Sequence, residues 1–405
     1  MGQASREDID TTELMEILNQ LLRRGVRIPE AAGIEIGPEV DLERIAGGGT
    51  VVHSGCRIFG ERTLILPGAR IGTAGPATIE NCQIGPGVEL QGGFFKDSVF
   101  LAGSRCGPGS HVREGTILEE HASIAHTVGL KQTILFPFVT LGSLINFCDC
   151  LMAGGTSRKN HSEVGSSYVH FNFTPSQDKA TASLIGDVPR GVMLNQRPIF
   201  LGGQGGMVGP LRFNYGTVVA AGTILRKDEL RPNRLIYGEA GKAGNVEAMD
   251  VRSYNTSRVV KNNLAYIANL IALCHWYREI RALFVSAEFP QALLEGLLQV
   301  VHSAVSERMR RLKEFAEKLK AGGNPALADA WQEIEQEINS QKENGGDRRL
   351  RDCFKEKMST VIARTGKDYI AAIQSLNAQE SGQGTAWLQG IVDTAMGSAL
   401  NKFEI

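Results

Sequence analysis

Every sixth residue from Val88 is apolar: Val88, Phe94, Phe100, Cys106, Val112, Leu118, Ile124, Leu130 and Phe136. At 42% apolar content, nine successes in a preset frame arise by chance about once in 2,500 trials. Four residues after each stand Gly92, Ser98, Ser104, Ser110, Thr116, Ala122, Val128, Ile134 and Thr140, which are small or β-branched. A period of six means a short strand and a corner per repeat, with three repeats closing one triangular coil of about 18 residues. The apolar residue points inward, and the small one fits where neighbouring faces crowd. Stacked coils pair their backbones with the coil above and below, so the core is continuous although no single coil is stable alone. The expected fold is a left-handed parallel β-helix, a β solenoid.

The phase returns at Leu201, Met207, Phe213, Val219 and Leu225, and slips between roughly 143 and 200. That slip predicts loops thrown out from the solenoid, where sites are usually built. Glycine supports the boundaries: 35 of the 47 fall within 31–245 and 10 from 246 onward. Eleven of the 14 prolines also lie in 31–245, and all three tryptophans lie beyond it. An ordinary parallel sheet would need amphipathic segments of about ten residues between strands, and none stands between 50 and 230. The expected domains are a helical segment at 1–30, the β-helix at 31–245 and an α-helical domain at 246–405. Residues 5–24 place Leu14, Ile17, Leu18, Leu21 and Leu22 on one stripe. Helices are predicted at about 256–285, 288–320, 325–343, 347–377 and 384–402, broken at Pro290, Pro325, Gly345-Gly346 and Gly382-Gln383-Gly384. The runs Glu307–Arg311 and Arg348–Arg351 read as solvated helix faces.

Charge narrows the functional classes. Lys plus Arg is 43 and Asp plus Glu is 44, a net charge of −1, which argues against phosphate neutralisation on nucleic acid. No run approaches the length of a membrane span, and the first residues lack a secretory pattern. The seven cysteines are odd in number and irregularly spaced, as expected of a chain in a reducing cytoplasm.

Two segments resemble the acetyltransferase domain of bifunctional UDP-N-acetylglucosamine pyrophosphorylase/glucosamine-1-phosphate acetyltransferase, one of the hexapeptide-repeat transferases. Asn172-Phe173-Thr174-Pro175 followed by Ser183-Leu184-Ile185-Gly186-Asp187 resembles that family's NYDG…IIGDD stretch. The run from Gly216 to Asp228, with Ala220-Ala221-Gly222-Thr223 at its centre, resembles GATIAAGTTVTRD. The resemblance implies a homotrimer with sites between neighbouring prisms. It implies acetyl-CoA as acyl donor, and an amino-sugar phosphate or nucleotide sugar as acceptor. By position, Asn172 would contact the amino-sugar, while Ala220, Ala221, Gly222 and Thr223 would line the channel for the pantetheine arm.

There are departures. The family carries its catalytic histidine upstream of the NYDG asparagine, and the same offset from Asn172 lands on Asp149. The nearest imidazoles are His161 and His170, with Arg158 and Lys159 beside them. Acyl transfer to an amine needs a base near neutral pKa, and cationic neighbours can hold a phosphate. Arg158, Lys159, His161, His170 and Asn172 are therefore the expected constellation. The short segment 1–30 ahead of the repeat region has no GxGTRM-type loop, so uridylyltransferase activity is not expected. Two further readings remain open at this point. One is a non-catalytic nucleotide-sugar binder or scaffold. The other is a zinc enzyme resembling the carbonic anhydrases of this fold, with His121 and His126 in H-x4-H spacing and His111 or His53 as third ligand.

Overall fold

The computed structural model describes residues 11–171, 179–238 and 255–402. Its central part is a parallel β-solenoid of about eleven turns. Each coil contributes a strand to three faces. The third face is the most regular, ten parallel strands running from Val51–Val52 to Leu235–Ile236. Its rungs align Val51, Arg70, Glu89, Arg105, Ser123, Thr140, Glu163, Phe200, Val218 and Leu235. The first and second faces join into one sheet because Gly129–Leu135 and Asn146–Met152 run unbroken across the corner between them.

Three inward columns fill the interior. Phe100, Cys106, Val112, Leu118, Ile124 and Leu130 take the expected positions, as do Leu201, Met207, Phe213, Val219 and Leu225, and all are buried. The strict period fails at the ends of the first run. Phe95, not Phe94, pairs with Ile79 and Val112 in the inward column, and Leu135, not Phe136, pairs with Leu118. Coil length drifts along the third face: the coil from Arg70 to Glu89 is longer than three hexads, and those from Glu89 to Arg105 and from Ser123 to Thr140 are shorter. Each gain or loss is absorbed at a corner, so the ladder stays in register while the six-residue frame shifts. Phe94 turns outward against His111, with ring centroids 5.1 Å apart.

The corners stack as columns of left-handed residues. Between the first and second faces, Asn81, Asp97, Gln132 and Asp149 have φ of 54°, 45°, 50° and 55°. Between the second and third, Gly103 (67°), His121 (59°) and Phe138 (71°) succeed one another. Side chains, most of them polar, thus stand at many of these corners in the region that glycine adopts most easily.

Helix α1, Thr11–Arg23, lays Leu18 and Leu21 over the first coils. A short α2, Val188–Gly191, is capped by Asp187, which accepts from the Arg190 N–H. Beyond the solenoid come α3 Thr256–Glu279, α4 Gln291–Ala321, α5 Ala326–Asp329, α6 Trp331–Glu343, α7 Arg348–Thr365, α8 Tyr369–Gln374 and α9 Ala378–Leu400. The single helix expected at 347–377 is two, because Gly366 (φ 76°) ends α7 and Asp368 caps α8. Conversely, Gly382-Gln383-Gly384 does not break α9. Gly384 lies where a Cβ would sit 2.6 Å from Met193 Cε, so the glycine serves close packing inside the helix.

These helices cover the second face. α4 packs on the strands at Gln83–Ile84, Ser98–Phe100 and Thr116–Leu118, and α3 on Ser183–Ile185. The seam between them is polar. Tyr277 donates to Glu119, Arg281 pairs with Glu120, and Arg308 pairs with Asp149 at 2.8 Å. Asn263 donates to the Ala180 carbonyl at 2.9 Å, and Asn269 accepts from the Val188 N–H at 2.9 Å. The expectation that Glu307–Arg311 is a solvated face fails at Arg308, whose side chain is 3% exposed. Asp149 supplies the counter-charge that makes its burial tolerable. Arg310 and Arg311 do pair along the helix with Glu307 and Glu314.

Two stability measurements check this architecture. Phe95→Ala should cost about 3–5 kcal/mol in urea unfolding, and Phe94→Ala under about 1 kcal/mol; equal losses would contradict the register. Arg308→Ala strands the Asp149 carboxylate and should cost about 3–5 kcal/mol, whereas Arg310→Ala should stay within about 0.5 kcal/mol.

Candidate functional site

The expected loops emerge where a coil is too long for its ladder. On the third face, the chain between the paired rungs Thr140 and Glu163 exceeds one coil, and that between Glu163 and Phe200 exceeds it further. The first excess is an antiparallel hairpin, Gly155–Ser157 with Asn160–His161, at the corner between second and third faces. Gly155 (φ 101°) closes it, since a Cβ there would meet His161 Cα at 2.5 Å. The second excess holds α2. Asn172, with Phe173, Thr174 and Pro175, lies outside the described residues.

The hairpin carries three of the expected residues together. Arg158 folds back to donate to the His121 carbonyl at 2.7 Å and to Ser123 Oγ at 3.1 Å. Lys159 is exposed at the tip. His161 is partly buried with Nε2 3.8 Å from Glu163 Oε2, and its buried Nδ1 has no hydrogen-bond partner among the described residues. Gln374, ending α8, donates to the Thr156 carbonyl at 2.6 Å, which ties the hairpin to the helical domain.

His170 is elsewhere. It pairs with Met207 in the inward column of the first face, a single imidazole in a stack of apolar side chains. Its Nε2 lies 3.0 Å from Ser183 Oγ. Burial pushes this imidazole down to about 4, against the opposing pull of the Asp149 carboxylate and the Thr181 carbonyl. Asp149 itself stands in a left-handed corner, bound by Arg308 and by Thr181 Oγ1 at 3.3 Å.

Ala220, Ala221, Gly222 and Thr223 form the opposite corner, between third and first faces. Ala221 and Gly222 are exposed, Thr223 is buried, and its Oγ1 has no partner among the described residues. Gly202 and Gly203 of the preceding coil lie against them, where a Cβ on Gly202 would sit 2.4 Å from Ala221 N. The result is a floor of small residues along an open edge, suited to close approach of a narrow chain. Between the two edges lie Phe200, Val218 and Leu235, adjacent rungs of the third face that are 39%, 41% and 63% exposed. The six-residue frame does not flag this ladder, although each member directly precedes an inward residue. Asp187, in the segment resembling IIGDD, turns its side chain to Arg190 within α2.

His53, His111, His121 and His126 do not converge within the chain, and no group of three His, Cys, Asp or Glu able to hold a metal occurs among the described residues. His121 instead occupies a left-handed corner stacked on Phe138, with ring centroids 5.9 Å apart. The seven cysteines are free. Among the described residues, no helix is long and apolar enough to cross a membrane.

No protein-family model matches the chain. It is 27% identical over 224 residues to the Bifunctional protein GlmU of Pelobacter propionicus, covering 54% of this chain and 44% of that protein. The same-named protein of Thermotoga petrophila is 27% identical over 227 residues, with 56% and 45% covered. That of a Mycobacterium species is 24% identical over 247 residues, with 60% and 45% covered. The chain thus spans about half the length of the curated relatives it matches. The solenoid and these relatives together support the resemblance to hexapeptide-repeat transferases.

The placement of His170 has a measurable consequence. Its native pKa lies below the ordinary value near 6.5, so between pH of about 4 and 6.5 the unfolded chain binds more protons. Stability should therefore rise with pH across that window and be lost as pH falls through it. His170→Leu, which continues the apolar column, should remove up to about 1.4 kcal/mol per pH unit of this acid limb. Urea titrations of both proteins at pH 4.5 and 7 check it, and an unchanged acid limb would contradict a neutral imidazole in this ladder.

Proposed function

We propose that the protein is an acyl-CoA-dependent acyltransferase, with acetyl-CoA as donor and an amino-sugar phosphate or nucleotide sugar as acceptor, acting in the cytoplasm. The observation that carries this reading is the pair of half-sites on opposite edges of the third face. One is the Arg158–Lys159–His161 hairpin; the other is the small-residue floor at Ala220–Thr223. The similarity to the GlmU proteins gives the pair its chemical meaning.

Acetyl-CoA, when bound, supplies an acyl group as a thioester. Ala221 and Gly222 offer exposed backbone without bulk, with the Thr223 side chain buried beneath them, so this edge fits a pantetheine chain. On the other edge Lys159 presents its ammonium to a phosphate, and Arg158 supports the hairpin from the His121 carbonyl. His161 would take the proton that the acceptor amine loses as its C–N bond forms, and return it to the CoA thiolate released when the thioester C–S bond breaks. Glu163 Oε2 stands 3.8 Å from its Nε2.

Because the two edges are separated by a full face, one chain does not bring them together. A homotrimer would complete each site, setting the hairpin edge of one chain against the small-residue edge of its neighbour. The exposed Phe200–Val218–Leu235 ladder supports such packing. His170, half-buried in the ladder of the first face, is assigned to the support of that face rather than to proton transfer. Asn172 is retained as a contact to the amino-sugar.

A thiol-release assay with acetyl-CoA and amino-sugar phosphates tests the proposal. Turnover is expected, with His161→Ala lowering kcat by about 100-fold or more and Ala221→Trp chiefly raising KM for acetyl-CoA. A folded chain without turnover on any of these acceptors would favour the non-catalytic sugar-nucleotide binder. Unchanged turnover in His161→Ala would remove the assigned base.

A further inference from the structure

Where the second face ends, the solenoid, α2, α3 and α9 line a cavity of about 300 Å³. On this face Leu151, Leu184 and Arg212 are successive outward rungs, so a covered apolar stack ends in a guanidinium. Arg212 is half-buried. Its Nε is enclosed without a partner, and no hydrogen bond or ion pair engages the rest of the guanidinium among the described residues. From α9, Gln389, Val392, Asp393 and Met396 present one helical stripe to the same space. Asp393 is exposed and accepts from Gln389 Nε2 at 2.8 Å, with no cation paired to it among the described residues.

The other charges of the lining are already matched. Asp187 accepts from the Arg190 N–H at 2.9 Å and from Nε at 2.8 Å, and Nη2 also donates to it. One guanidinium on the solenoid wall and one carboxylate on α9 are left, and no ion pair joins them. An anion alone would answer Arg212 but face Asp393, and a cation alone would meet the reverse. Behind the guanidinium, Asp228 accepts from the Arg212 backbone N–H at 3.0 Å, which disfavours a doubly charged anion such as phosphate. A molecule with a carboxylate and an ammonium close together answers both walls at once. A free α-amino acid carries that pair on one carbon, and its size suits a cavity at the small end of ligand sites. Beside the charges lie Leu230, which is 53% exposed, and the partly buried Met396, an apolar strip for an aliphatic or aromatic side chain.

We propose that this cavity binds a free α-amino acid with an apolar side chain, its carboxylate on Arg212 and its ammonium on Asp393. Occupied, it would join the last coils of the solenoid to α9 through the ligand. The site does not depend on the transferase reading, since its lining includes neither the Arg158–His161 hairpin nor the Ala220–Thr223 edge.

Calorimetric titration of the full chain with L-leucine, L-methionine and L-phenylalanine tests the proposal. At least one should bind saturably and raise the unfolding temperature as occupancy rises. Its N-acetyl derivative lacks the ammonium and its amide lacks the carboxylate, so each should bind at least about tenfold more weakly. Arg212→Gln and Asp393→Asn should weaken binding of the parent amino acid by a similar factor. Asp393 is exposed, so Asp393→Asn without ligand should unfold at the temperature of the parent chain. Saturable binding by none of the three amino acids would overturn the proposal, as would equal binding of either derivative. Undiminished binding to a folded Asp393→Asn would overturn it too, and so would inorganic phosphate binding in preference to all three, which would mark an anion site.

Discussion

Parallel pairing between successive coils governs the rest of this structure. Each rung donates and accepts along the solenoid axis, so a coil that changed length within a face would leave buried N–H and C=O groups unmatched. Extra residues are therefore expelled at corners. The hairpin at Gly155–His161 and the segment carrying α2 are both corner insertions between rungs that remain paired, Thr140 with Glu163 and Glu163 with Phe200. The candidate chemistry sits there because the ladder permits irregular backbone there alone.

The same constraint explains the polar seam beneath the helices. Corner residues present carboxylates and carbonyls that point away from the interior, and a helical domain laid over them must answer each one. Arg281 answers Glu120, Arg308 answers Asp149, and Asn262 donates to both the Pro210 carbonyl and Asp228. Such pairs contribute little net stability relative to apolar substitutes, yet losing one partner is costly. They fix where the helices sit: the second face is closed, and the third is left uncovered.

The solenoid is legible because its inward positions repeat in both spacing and residue type, and the structure keeps that frame from Phe100 to Leu130 and from Leu201 to Leu225. The frame fails at Phe94 and Phe136, where corner length drifts and periodicity carries no information about it. Loop positions are legible as a loss of phase, and the grouping of Arg158, Lys159 and His161 follows from their closeness in sequence. That His170 turns inward is not legible, since its place depends on the pairing of Val169 with Gly206 across a long insertion. Arg308 looks like its neighbours Arg310 and Arg311; only the fold sets Asp149 opposite it. The Arg281–Glu120 pair joins residues 161 positions apart, beyond the reach of any local pattern.

The central claim is that the helices and the second face form one cooperative body, with the third face open beside it. Amide hydrogen exchange on the full chain tests this most directly. The account predicts that strands Ser98–Phe100 and Thr116–Leu118 and helices α3 and α4 share one slow opening, and that the arms of the Gly155–His161 hairpin exchange faster. Helices that exchange fast and independently of a protected solenoid would show that the seam does not hold the two parts together, and would contradict the account.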